Sequence, residues 1–127
     1  MEESLRSLVR ERAGDRCEYC GLPQAALPFA RFHVDHIIAE QHGGTDDAKN
    51  LAYCCSRCNF SKGPNLSGID PESGEIVTLF NPRTQLWAEH FMARGGLIVG
   101  ITPAGRATVR VLGMNERRRV HLRKAIR

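Results

Sequence analysis

Aromatic side chains are scarce in this 127-residue chain, at 6% of positions with a single tryptophan, which excludes a core built on large rings. No apolar run approaches the roughly 18 residues of a membrane span. The first segment, MEESLRSLVRERAG, is charged throughout and lacks the apolar stretch of a secretory signal. The expectation is therefore a cytoplasmic chain with no membrane partner. Length and 42% apolar content suit one domain, 1–127, with one modest core. A metal staple would help a core of that size.

Acidic charge is sparse in the last sixth of the chain. Residues 106–127 hold Arg106, Arg110, Arg117, Arg118, Arg119, Arg123, Lys124 and Arg127 against Glu116 alone. That segment carries +7 and the remainder −3, within a total of +4. Basic charge gathered at one end fits either a polyanion partner or a solvated helix face.

The five cysteines, Cys17, Cys20, Cys54, Cys55 and Cys58, are odd in number. Cys17 and Cys20 form one C-x-x-C pair, and Cys55 and Cys58 another. In a reduced compartment such pairs bind metal more often than they form disulfides. Four thiolates make a closed tetrahedral Zn²⁺ site, which stabilises the fold but leaves no position for an activated water. Cys54 reads as a spare buried thiol, or as a replacement for Cys55 at less standard spacing.

Patterning predicts a helix over 4–13, stopped by Gly14, and a strand over FARFHVDHI, residues 29–37. A polar loop follows at 39–49, hinged at Gly43 and Gly44. NLAY reads as a second strand and CSRCNFSK as a short helix ended by Gly63 and Pro64. Beyond a turn-rich stretch with a short strand in EIVTLF, QLWAEHFMA reads as a helix. GLIVGIT and ATVRVLG, flanking PAGR, read as a hairpin, and 115–126 as a final helix with Asn115 as cap.

The segment between the cysteine pairs, with the helix after it, carries a second constellation: Asp35, His36, Asn50 and Asn59. Asp35 and Asn59 offer hard oxygen donors suited to Mg²⁺ or Mn²⁺. His36 can serve as a general base near neutral pH. Phosphodiester hydrolysis needs those parts.

The run VDHIIAEQHGGTDDAKNLAYCCSRCNFSKG resembles the HNH endonucleases, the ββα-metal nucleases, in their four-cysteine, zinc-containing form. The matching elements are Asp35-His36, Asn50-Leu51, Cys55 to Asn59, Lys62 and Gly63, preceded by CEYCG. Many members end the motif with histidine where this chain has Asn59, and carry proline where it has Ala39. The resemblance implies an α+β fold: a small ββα-metal core over about 14–64, stapled by zinc on Cys17, Cys20, Cys55 and Cys58. A C-terminal β-hairpin and helix extension would occupy about 65–127.

It also implies hydrolysis of DNA, with His36 as base and Asp35 and Asn59 holding one divalent cation. Asn50 would orient the His36 loop, and the products would carry 5′-phosphate and 3′-hydroxyl ends. Lys62, Arg117, Arg118 and Arg123 are the candidate phosphate contacts; for Lys62 a helix-end cap is the second reading, after phosphate. No base-reading helix is evident, so weak sequence preference is expected, from a monomer or homodimer. The competing reading is a non-catalytic zinc module that binds nucleic acid or a partner protein. His33 stays open between metal or phosphate contact and strand-edge packing. His90 and Trp87 read as packing residues.

Overall fold

The computed structural model describes residues 1–126; Arg127, counted above in the basic segment, lies outside them. The first helix, α1 (Glu3–Arg12), buries Val9 against the strand that becomes β2. Strands β1 (His33–His36) and β2 (Leu51–Cys54) pair antiparallel, with His33 opposite Cys54 and His36 opposite Leu51. β1 is shorter than its β-rich sequence suggests. The backbone around Gln24 turns instead, and the Gln24 amide accepts from Phe32 N–H and donates to Ala30 O.

Helix α2 (Ser56–Lys62) follows β2 directly. The Cys55 sulfur accepts from Cys58 N–H at 3.5 Å and so caps the helix with a ligand-type atom. Two strands and a helix thus form one ββα unit. Its buried side includes Tyr19, Leu22, Phe32, Leu51 and Tyr53, with the Phe32 and Tyr53 rings 5.6 Å apart.

The extension is a mixture of short elements. β3 (Ser67–Ile69) pairs with β4 (Ile76–Thr78), and β5 (Phe91–Arg94) with β6 (Leu97–Gly100). The short helix α3 (Trp87–His90) runs straight into β5. Helix α4 (Pro103–Val111) packs on β3, β4 and β6, and α5 (Arg117–Ala125) closes the chain. Phe91 stacks on Trp87 and meets Phe80 edge to face, each at 5.1 Å between ring centroids. The Trp87 indole N–H donates to Tyr19 O at 2.8 Å, tying the extension to the first cysteine knuckle.

The expected hairpin across PAGR is replaced by a helix. Thr102 accepts from Gly105 N–H at 3.0 Å, and Pro103 occupies the first turn, a strong helix start. The hairpin turn lies earlier, at Gly95-Gly96, where φ of 56° and 90° suits a tight two-residue connection. Arg106, which closes the PAGR segment expected to be a turn, forks onto the buried Asp70 carboxylate at 2.9 and 3.0 Å. Among the described residues no helix is long and apolar enough to cross a membrane.

Candidate functional site

Two knuckles meet at the core. The sulfurs of Cys17, Cys20, Cys55 and Cys58 all lie within 4.8 Å of one another and are buried. A tetrahedral zinc with Zn–S bonds of about 2.3 Å requires sulfurs roughly 3.8 Å apart. Cys20 and Cys55 stand at 3.8 Å, so the cluster fits a zinc ion. Backbone N–H groups of Cys20 and Cys58 point at the sulfurs of Cys17 and Cys55. Bonds from Cys17, Cys20 and Cys58 hold the Cys55 thiol far below its ordinary range, whereas burial pushes Cys17 up. A cation among them would take thiolates. Cys54 is outside the cluster, and its burial holds the thiol well above the usual range, as a packing residue.

On the outer side of the ββα unit, a cleft of about 360 Å³ is lined by Asp35, His36 and Asn59, together with Ala39, Glu40 and Gly63. Asp35 and His36 are adjacent on β1, and Asn59 comes from α2. The zinc-type cluster fixes the start of α2 against β1, which brings the three groups to one cleft across a sequence gap of more than twenty residues. Asp35 from β1 and Asn59 from α2 bring a carboxylate and an amide, both oxygen donors of the kind hard divalent cations take, to the lining of this cleft.

Asp35 is 5% exposed. Tyr19 donates its hydroxyl to one carboxylate oxygen at 2.9 Å, and the Lys62 ammonium lies 3.2 and 3.4 Å from the two oxygens. Burial raises the Asp35 carboxyl above its ordinary value, and Lys62 and Tyr19 oppose that rise. Lys62 is 2% exposed and also donates to His36 O and Ile37 O, at 3.2 Å each. It therefore holds the strand end and neutralises Asp35. The expected phosphate contact is corrected: the ammonium is enclosed by protein oxygens and has no access to a duplex.

His36 is partly exposed, with Nε2 2.7 Å from Asp46 Oδ1 and 3.9 Å from Glu40 Oε1. Asn50 lies behind the cleft. Its side chain accepts from Ile38 N–H at 2.8 Å and donates to Ile38 O at 3.0 Å and Thr45 O at 2.8 Å. Those bonds clamp both ends of the loop after His36. Gly44 passes so close to Ile38 O that a β-carbon there would overlap it. His33 faces Ser56 at 3.2 Å, outside the cleft, and His90 bonds Thr102 at 2.7 Å and packs on Phe80.

The C-terminal cations separate. Arg117 and Arg118 are exposed on α5. Arg123 is 7% exposed and gives its N–H groups to Gly96 O, Met114 O and Asn115 Oδ1, which corrects its expected phosphate contact. Sequence reasoning passed over Tyr19, Asp46 and Arg119. Tyr19 lies between two cysteines and Asp46 in a polar loop, so neither carries a local signal. Arg119 sits one helical turn before Arg123, but arginine normally marks a surface.

A hairpin and a helix joined at a cluster of four cysteines that fits zinc, with Asp-His on a strand and asparagine on the helix, define a ββα unit. Residues 17–65, under half of the chain, match the HNH endonuclease family. The chain is similar to the CRISPR-associated endonuclease Cas9 of Corynebacterium diphtheriae, with 39% identity over 54 residues. That similarity takes in 42% of this chain and spans 5% of the length of the relative. No solved structure matches the chain.

Proposed function

We propose that the chain is a metal-dependent DNA endonuclease with a structural zinc on Cys17, Cys20, Cys55 and Cys58. The observation that carries this reading is the convergence of Asp35, His36 and Asn59 on one cleft, with Asn50 bracing the loop behind it. A pure binding module has no use for that set.

Nε2 of His36 lies on the Asp46 carboxylate, which can only accept when ionised. Nε2 therefore carries the hydrogen and Nδ1 is left as the base. Nδ1 takes a proton from the water that attacks phosphorus in line, the P–O3′ bond breaks, and the departing 3′ oxygen takes a proton from solvent water. The products carry 5′-phosphate and 3′-hydroxyl ends. Asp35 and Asn59 would hold a Mg²⁺ or Mn²⁺ ion, which when bound supplies positive charge to a non-bridging oxygen and to the departing oxygen. Tyr19 and Lys62 keep Asp35 aimed and ionised. Exposed Arg117 and Arg118 contact backbone phosphate, with weak sequence preference. The reading places the chain in a reducing, cytoplasmic setting, where the thiols stay available to zinc.

The test is plasmid cleavage with Mg²⁺ or Mn²⁺, wild type beside His36→Ala. Cutting by wild type with loss in the variant is expected. Equal cutting by both removes His36 from the mechanism. No cutting by wild type with any divalent ion favours the binding module.

A further inference from the structure

Two arginines of the C-terminal helix are buried beside the cysteine cluster, and neither belongs to the matched segment 17–65. Arg119 is 3% exposed, with Nη1 3.0 Å from Cys58 Sγ and 3.8 Å from Cys55 Sγ. Its Nη2 donates to Leu112 O at 2.6 Å and to Gly113 O, at the end of α4. Arg123, one turn later on the same helix face, lines a cleft of about 740 Å³ with Cys17 and Cys20. Its Nε donates to Gly96 O at 2.7 Å, and its Nη2 to Met114 O.

Neither arginine has a carboxylate partner among the described residues. Arg119 Nε and Arg123 Nη1 are buried without any hydrogen-bond partner. Two uncompensated buried cations are costly unless a nearby anion balances them. Zn²⁺ with four thiolates carries a formal charge of −2, and two guanidiniums supply +2. The β5–β6 turn completes the packing: a β-carbon at Gly96 would meet Val120 O and the Lys124 side chain.

Resting on the zinc reading above, we propose that Arg119 and Arg123 are the outer shell of the zinc centre. They neutralise the tetrathiolate and bolt the C-terminal extension to the nuclease core. Zinc binding and docking of α5 are then one linked equilibrium, and each strengthens the other by the same factor. Loss of zinc leaves two buried charges unbalanced and releases α5, with Arg117 and Arg118 on it.

The experiment starts from full-length protein with its zinc content measured. Transfer of zinc to a chromogenic chelator is followed for wild type, Arg119→Met, Arg123→Met and Arg119→Lys. Outer-shell partners typically change metal affinity by about 10–100-fold. Each methionine variant should weaken zinc retention by roughly that factor, with Arg119→Lys, which keeps the charge, between them and wild type. In wild type, chelation should speed trypsin cleavage after residues 117, 118, 119, 123 and 124 ahead of cleavage after Arg83 and Arg94. Zinc-free wild-type protein would overturn both the zinc reading and this inference. Zinc present, but held equally by wild type and both methionine variants, would overturn this inference alone. If a methionine variant fails to fold, the wild-type proteolysis decides. Cleavage within α5 that is indifferent to zinc refutes the linkage.

Discussion

Replacing Lys62 by methionine separates a buried structural cation from a surface phosphate contact. The substitution keeps the apolar stem and removes the ammonium from Asp35, His36 O and Ile37 O, all within 3.4 Å. Asp35 is then left buried with Tyr19 as its remaining donor, and its carboxyl, already raised by burial, loses the largest influence that opposes the rise. Removing one partner of a buried ion pair costs about 3–5 kcal/mol. The surviving Tyr19 bond places the expected loss near the lower half of that range, about 3–4 kcal/mol. Unfolding entropy of roughly 2.1 cal/mol/K per residue gives about 0.27 kcal/mol/K for a chain of 127 residues. The melting temperature should therefore fall by roughly 11–15 °C at pH 7. A surface lysine would cost within about 0.5 kcal/mol, or roughly 2 °C.

Thermal unfolding by circular dichroism, with zinc in slight excess, reads the difference. Adding Asp35→Asn to the methionine variant removes the unbalanced charge. The double variant should recover part of the loss, with a coupling of about 2 kcal/mol. A melting point within about 2 °C of wild type for Lys62→Met, or no recovery in the double variant, would refute the burial argument.

Other outcomes follow from the same geometry. Cys17→Ser should lower both zinc content and melting temperature, because metal binding contributes folding free energy; full occupancy with unchanged melting would sink that claim. Asn50→Ala removes three bonds that clamp the loop after His36. Cleavage rate should drop at least tenfold, as expected for a misplaced base, while zinc content stays at the wild-type level; unchanged cleavage would show that the loop holds without it. Arg106 holds the Asp70 carboxyl well below the usual range, so folding favours its ionised form. That stabilisation is complete above the unfolded value, near pH 4, and is lost as pH falls through it toward the folded value. The melting advantage of wild type over Asp70→Asn should therefore shrink below about pH 4; a gap that is constant from pH 7 to pH 3 would contradict the ion pair.

Residues 33 to 63 were legible because local chemistry and structure agree there. Tight C-x-x-C turns, a strand ending in Asp-His and a helix capped at Cys55 are each set by neighbours in sequence. The extension was harder to read. GLIVGIT and ATVRVLG share a β-rich composition, but Thr102 and Pro103 start a helix that packs on β6 and buries Ala107 and Thr108. Packing of that face outweighs the modest strand preference of valine. Short elements of three or four residues, such as β3 and α3, have too little periodicity to announce themselves.

Sequence alone pointed to the four-cysteine frame and to Asp35, His36, Asn50 and Asn59 as candidates, because ligand chemistry depends on residue type and short spacing. Tertiary structure decided the fate of the cations. Lys62, Arg119 and Arg123 read as surface charge, yet each is enclosed where Asp35, the cysteine sulfurs or backbone carbonyls offer long-range anionic or dipolar partners. Burial of a charge is set by what the fold brings to it: Asp35 lies 27 residues from Lys62, Cys55 lies 64 from Arg119 and Gly96 lies 27 from Arg123.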